Sequence, residues 1–596
     1  MNPNRSKRLV PLSALVILAL PALAGAAEPA KPAPPPSTDD TFFEVMEVNV
    51  VNVDVYVTDR QGKPVKGLTK DDFVVYEDGK PIEITNFYAA DDQTLTAAAP
   101  EAAPTEATAA PEARQVPPEQ QLHLAIYIDN RNLTPRSRNE ALKSVRSFLG
   151  TQPRAGNNLL VVTYNGPGSL HIEQAATTDP EAVIQKLEQV ASTAATGSFV
   201  QMDRQSIVRN IERAPDPNSP DPRTADLGRE EARNIFKEIQ VYGQQRYNET
   251  KGGLATFGQF IDSLAGLPGR KAVLFISGGV SMRPVQALYD TWYRRYAFIE
   301  QELGVGSARL EGFSTDLTTL YERLAARANA SRVTLYSLGA SEDMSVSSAE
   351  NGSTDFWGSE QATQESSNRA ESMLLLASST GGLASVNSAN YSAMLDRLRS
   401  DIDSYYSLGY SPSQRKTGKD RKVKVETRDK AYRLRYRSSY RDRTAQERLG
   451  EQTLSALLIG QQDNPLNVAL EFEGESRPKK DQMQVTLLVK FPMAGLVLLP
   501  QENFHEGKVT LFVGARDQEG RMSDLTQIAI PIRVPNSDVL TAMGQTVAYR
   551  TNLMLRPQAH TVAVGMRDEL GNVGSTVTAP YTPGQAPPSQ AASTSP

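Results

Sequence analysis

The 596-residue chain contains no cysteine. That excludes disulfides, thiolate metal centres, a cysteine nucleophile and a lipid-modified cysteine anchor. Only four histidines occur, His123, His171, His505 and His560, each in or beside a strand-like segment and none with a second ligand at metal-binding spacing. They read as ordinary strand residues. No G-x-S-x-G elbow, phosphate loop or H-E-x-x-H helix is present. Beyond residue 23 no apolar run is long enough to cross a bilayer. The net charge of -6 is small for this length, so nucleic acid is not expected as a partner.

What is present is a long chain of ordinary globular composition, 39% hydrophobic and 22% charged, which exceeds one core and implies several domains. Arg5, Lys7 and Arg8 precede the apolar run Leu9 to Leu23, and Ala24-Gly25-Ala26 follows as a small-residue cleavage site. Residues 1–26 therefore read as a secretory signal peptide, with a retained membrane anchor as the competing reading. Export to the periplasm or cell surface follows from the first. A Pro/Ala-rich spacer (27–43) leads to alternating Val51, Val53, Val55 and Val57, an Asp59 to Gly62 turn, and an Asp78-Gly79 hairpin turn, predicting a small β module over 44–90. Residues 91–120 have the Ala/Pro/Glu/Thr composition of a linker.

From 121 to 412 the pattern changes to strands alternating with helices, which predicts an α/β domain with a doubly wound, mostly parallel sheet, flanked by β-sandwich-like modules. Strands are expected at Leu122 to Asp129, Leu159 to Tyr164, Leu170 to Ala175, Lys271 to Ser277, Arg332 to Leu338 and Gly382 to Val386. Helices are expected at Pro135 to Leu149, Pro180 to Val190, Leu254 to Leu264 and Leu317 to Ala328. The organising stretch is LHLAIYIDNRNL, Leu122 to Leu133: a buried strand delivers Asp129, Asn130, Arg131 and Asn132 at its carboxyl end, where open α/β sheets place their sites. Thr134 caps the following helix and Pro135 opens it.

Two helical segments exceed a minimal domain of this kind. One carries Ala232, Ile235, Phe236, Ile239 and Tyr242, and the other Leu288, Trp292, Tyr296 and Ile299. They either pack against the parent domain or present a partner surface. Residues 413–448 are expected to form a basic β-hairpin; from Arg415 to Arg448 there are 14 Lys or Arg and 5 Asp or Glu. A solvated basic face accounts for this, and peripheral contact with an anionic envelope surface is the alternative. A β-sandwich follows over 449–580, with Asp-x-x-Gly turns at Asp517 and Asp568, and a disordered tail over 581–596.

Three motifs together carry a resemblance: Leu122 to Leu133, GRKAVLFISGG from Gly269, and YYSLGY from Tyr405. They resemble a von Willebrand factor type A domain, and with the leading segment VDVYVTDRQGKPVKGLTKDDFVVYEDGKPIEITNF the VWFA-related proteins of acidobacteria. The resemblance spans roughly Val45 to Tyr440 and implies a role in adhesion or protein binding. It also implies Mg²⁺ or another divalent cation, held by an Asp-x-Ser-x-Ser loop, a Thr and a second Asp. Asp129 matches the first position. Arg131 and Leu133 stand where the serines would be, Gly278 where the second Asp would be, and Thr250 is a loose match for the Thr. The implied metal site is thus degenerate, and its weak candidates are Asp129, Thr250 and Ser277.

The reading that results is an exported, non-catalytic binding protein recognising a protein or envelope component at a rim of Asp129, Asn130, Arg131, Asn132 and Ser277. An envelope scaffold attached through the basic hairpin is the alternative. A hydrolase with its nucleophile at Ser277 is the third reading, although Val280, Ser281 and Met282 offer no base.

Overall fold

In the computed structural model the described residues are 50–90, 121–151, 157–340, 356–386, 390–412 and 419–584, without the side chains of 356–363. The expected signal peptide, spacer and linker lie outside them. The expected tail does so only from residue 585, because Tyr581 ends the last strand and is buried. Among the described residues no helix is long and apolar enough to cross a membrane. The fold is mixed α/β with several sheets, one of them mixed parallel and antiparallel, and a β-rich C-terminal region.

The N-terminal stretch supplies β1 (Val51–Thr58), β2 (Phe73–Glu77), β3 (Lys80–Ile82) and β4 (Asn86–Ala90). The central domain supplies β5 (Leu122–Asp129), β6 (Asn158–Gly166), β7 (Ser169–Thr177), β8 (Arg270–Ser277), β9 (Val333–Gly339) and β10 (Ala384–Ser385). After it come β11 (Tyr405–Tyr410), β12 (Asp420–Thr427), β13 (Arg433–Tyr436) and β14 (Ser439–Arg441).

Segments on either side of the central domain form two four-stranded sheets, ordered β13-β1-β11-β4 and β14-β12-β2-β3. Two expectations are corrected here. Residues 44–90 are half of a module, and residues 413–448 are not a hairpin, since β12 pairs with β2 and β14 while β13 pairs with β1. The reason is burial: Val53, Val55 and Val57 share one core with Phe73, Leu408, Tyr410, Val423 and Val425, and neither half could cover its apolar face alone. The Asp78-Gly79 turn forms as expected, both residues at positive φ.

The basic alternation is likewise not one solvated face. Lys422, Lys424 and Arg433 are exposed. Arg435 and Arg437 point into the junction with the central domain, Arg435 donating to Asp401 at 2.6 and 2.9 Å and Arg437 to the carbonyls of Asn52 at 2.7 Å and Asn329 at 3.1 Å.

The central sheet runs β10-β9-β8-β5-β6-β7, parallel except for β7 at one edge. Leu124, Ile126 and Ile128 face a core with the helices Pro135–Gly150, Pro180–Ala191 and Tyr391–Asp403. Ala125 and Tyr127 face the other, with Phe257, Phe260 and Ile261 of the helix Pro222–Ala265, Leu324 of Thr318–Ala330 and Leu376 of Phe356–Ser379. Both faces of β5 are therefore apolar, which is why it reads as a continuous hydrophobic run. Thr134 caps its helix as expected, its hydroxyl accepting from Ser137 N at 3.2 Å.

Pro222–Ala265 is one helix of 44 residues. The sequence reading divided it, because Gly252 and Gly253 interrupt the apolar pattern. Those glycines serve close approach: a Cβ on Gly253 would lie 2.7 Å from the Tyr164 hydroxyl and one on Gly252 2.9 Å from Pro167. The helix's first half packs with Gly197–Arg213 and Gln286–Tyr296 around Ile207, Ile235, Phe236, Trp292 and Tyr296. The apolar residues singled out in this outgrowth, Tyr242 at its margin, serve its own interior rather than a partner surface.

The helix Ala445–Ile459 connects to the C-terminal sandwich, with Leu458 in a central-domain core and Thr453 beside Gly565. There, sheets of three and five strands enclose Val485, Leu487, Leu511, Val564 and Met566.

At the amino edge of the sheet Lys271 is buried, its ammonium donating to Leu267 O at 2.9 Å. Burial, reinforced by Arg332, pushes its pKa down to about 7. An unfolded chain keeps that proton to roughly pH 10. Between those limits the unfolded state binds more protons, so this residue makes stability rise with pH. Thermal melts at pH 7 and pH 9 are expected to show a relative gain for the wild type at pH 9 that Lys271→Met lacks. Identical pH responses would refute this.

Candidate functional site

β5 and β8 are neighbours, with Ile128 opposite Ile276, so Asp129 and Ser277 emerge side by side. This is where strand order reverses, with β6 and β7 to one side and β9 and β10 to the other. In open α/β sheets the crevice at such a reversal is the binding position.

The Ser277 hydroxyl donates to Asp129 Oδ2 at 2.7 Å and accepts from Gly279 N at 3.1 Å. Asn132 Nδ2 donates to the same Asp129 oxygen at 2.9 Å, and Asn132 N to Oδ1 at 3.2 Å. Burial raises the Asp129 carboxyl above the usual range, against the pull of the Ser277 and Asn132 hydrogen bonds and of Arg246. Arg246 Nη2 donates to Asn132 Oδ1 at 3.3 Å. The carboxylate of Glu249 takes Arg246 at 2.6 Å and Arg131 at 3.0 Å. Asp129, Arg131, Asn132, Arg246 and Glu249 line a cavity of about 50 Å³, walled also by Tyr127, Tyr164 and Phe257 and by Thr250.

Asn130 faces elsewhere. It donates to Asn165 at 3.0 Å and accepts from Arg138 at 3.2 Å, while Arg138, fully buried, also holds the carbonyls of Ala191 and Thr193. Its part is to fix the loop.

The five residues expected as a docking rim meet at one sheet edge, but the open rim is corrected to a covered cleft. Asp129 and Asn130 are 3% exposed and Ser277 0%; Arg131 and Asn132 are half-buried. The cause is Pro222–Ala265, which brings Arg246, Glu249 and Thr250 over the edge. Thr250 was legible through the resemblance, whereas Arg246 and Glu249 show in the sequence only as a spacing of three along a helix.

The donor set does not suit a divalent cation. Both Asp129 oxygens already accept protein donors, Leu133 is fully buried in the core, and two guanidinium groups line the cavity. A Cβ on Gly278 would stand 2.1 Å from Asn132 O, leaving no room for a second aspartate there. Among the described residues no three His, Cys, Asp or Glu converge. Of the weak candidates Asp129 and Thr250 line the cavity, whereas Ser277 is spent on Asp129.

No family model matches the chain, and no curated protein matches it. Among solved structures it is similar to the pilus adhesin SpaC from Lactobacillus rhamnosus GG, open conformation, at 8% identity and a TM-score of 0.21. The alignment covers 84% of this chain and 57% of that one, so the chain spans little more than half the adhesin's length. So loose a superposition carries no argument about fold or function.

Proposed function

We propose that this chain is an exported, non-catalytic binding protein whose central domain is of the von Willebrand factor type A-related kind and recognises a protein or envelope component. One observation carries the reading: Asp129, Asn132, Arg131, Arg246 and Glu249 converge on a cavity at the strand-order reversal. Two facts favour binding over hydrolysis. The Ser277 hydroxyl is turned to a carboxylate with no imidazole beside it, and His123 lies at the opposite end of β5. Arg131 and Asn132, the half-buried members of the original five, are the points a partner reaches first. With Arg435 and Arg437 committed to the junction, the scaffold alternative rests on the exposed Lys422, Lys424 and Arg433.

The test is a pull-down from envelope extract with wild type and the double variant Arg131→Ala, Asn132→Ala, both confirmed folded by circular dichroism. The variant is expected to retain a specific partner at least tenfold less well, about 1.4 kcal/mol. Equal capture by both would refute the site.

A further inference from the structure

We infer that the cavity under the helix Pro222–Ala265 is a metal-independent receptor for a small carboxylate anion. In it the guanidinium groups of Arg131 and Arg246 take the place of a cation, and Glu249 is the resident competitor. This rests on the reading of the carboxyl edge as a binding site and names the ligand class that the edge accepts.

Three observations on this chain carry the inference. First, the two guanidiniums already hold a carboxylate, that of Glu249, at 2.6 and 3.0 Å. Arginine pairs gripping one carboxylate are a recognition geometry as much as a structural one. Second, there is unfilled hydrogen-bonding capacity. Thr250, 7% exposed and lining the cavity, has a buried hydroxyl with no partner. Buried donors without acceptors are rare in folded proteins and mark places where something else completes the bonding. Third, there is space. The cavity of about 50 Å³ is well above the roughly 10–15 Å³ needed to admit a single water, so a small guest has room.

The charge around the cavity leans the same way. Arg204 and Arg369 lie within electrostatic reach of the buried Glu365, as does Arg246. Burial raises the carboxyls of Glu365 and Asp129, against the pull of the nearby guanidiniums. Glu249 is different. Burial pushes it up, but the Gln245 hydrogen bond together with Arg246 and Arg131 holds it below the usual range, so it stays an anion. A carboxylate guest is the ligand that supplies an acceptor for the Thr250 hydroxyl while meeting the guanidiniums of Arg131 and Arg246 in the same cavity.

The experiment uses the full chain in buffer stripped of metals on a chelating resin, titrated with sodium acetate against sodium chloride at equal ionic strength, by calorimetry and thermal shift. Wild type is expected to bind acetate in this metal-free buffer. Glu249→Gln is expected to bind about tenfold more tightly, because the competing charge is gone. Thr250→Val, nearly isosteric, is expected to weaken binding severalfold, and Arg246→Met to abolish it. The inference is overturned if neither wild type nor Glu249→Gln binds acetate, if binding needs an added divalent ion, or if Thr250→Val and Arg246→Met bind as wild type does. Should Arg246→Met fail to fold, Thr250→Val and Glu249→Gln decide. Capture of an envelope partner without acetate binding rejects this inference alone; acetate binding without capture rejects the partner reading alone.

Discussion

Asp401→Ala is expected to lower stability by about 3–5 kcal/mol, the range for removing one member of a buried ion pair. Asp401 is 5% exposed and accepts from Arg435 at 2.6 and 2.9 Å and from the Tyr336 hydroxyl at 2.9 Å. Its own carbonyl accepts from Arg270, whose guanidinium stacks on Tyr405 at 3.4 Å and reaches the Tyr56 hydroxyl at 3.1 Å. The clamp therefore ties the last helix of the central domain to β1, β11 and β13. Removing the carboxylate takes two acceptors from a half-buried guanidinium and one from the buried Tyr336 hydroxyl. Urea titration measures the loss. Asp401→Leu combined with Arg435→Met should recover much of it, because an apolar pair leaves no orphan. A loss below about 1 kcal/mol for the single variant would show that the clamp is incidental.

Gly278→Asp is the second large effect. The substitution introduces the acidic residue that a type A resemblance would imply there, yet the new Cβ would meet Asn132 O at 2.1 Å. The Asn132 loop must retreat, and with it two of the hydrogen bonds to Asp129. A cost of about 1–3 kcal/mol or more is expected, with no Mg²⁺ binding by calorimetry. Gly278→Ala should show much of the same loss without the charge. A Gly278→Asp protein that is as stable as wild type and binds Mg²⁺ would overturn the account of this loop.

Strands buried on both faces announce themselves, and β5, β8 and β9 were legible for that reason, as was the helix that Thr134 and Pro135 begin. Pairing between distant segments left no local trace: nothing in Val51–Thr58 names Tyr405–Tyr410 as its partner, so one module was divided into two. The helix Phe356–Ser379 is hard to read because Ser, Ala and Gln dilute its apolar stripe, whereas Tyr391–Asp403 did carry a helical signal in Tyr391, Met394, Leu395, Leu398 and Ile402. Ala445–Ile459 did carry a signal that went unused, the Thr444 and Glu447 capping box and Gly460 in the left-handed region at its end. At the site, Asp129, Asn132 and Ser277 were found because strand ends are predictable. Arg246 and Glu249 were not, since charged residues on a helix ordinarily face solvent and only the close packing at Gly253 brings these over the sheet.

The division of one β module by a whole domain has a consequence for biosynthesis. Asn52 receives its hydrogen bond from Arg437, 385 residues downstream. At about 5–20 residues per second, a ribosome takes on the order of 20–80 s to supply that partner. Throughout that delay β1 is a Val-rich strand with both edges bare, the form most prone to pair with the wrong chain. The fold thus makes the rate of synthesis matter: slowing translation within residues 121–403 should raise aggregation more than slowing it after residue 445.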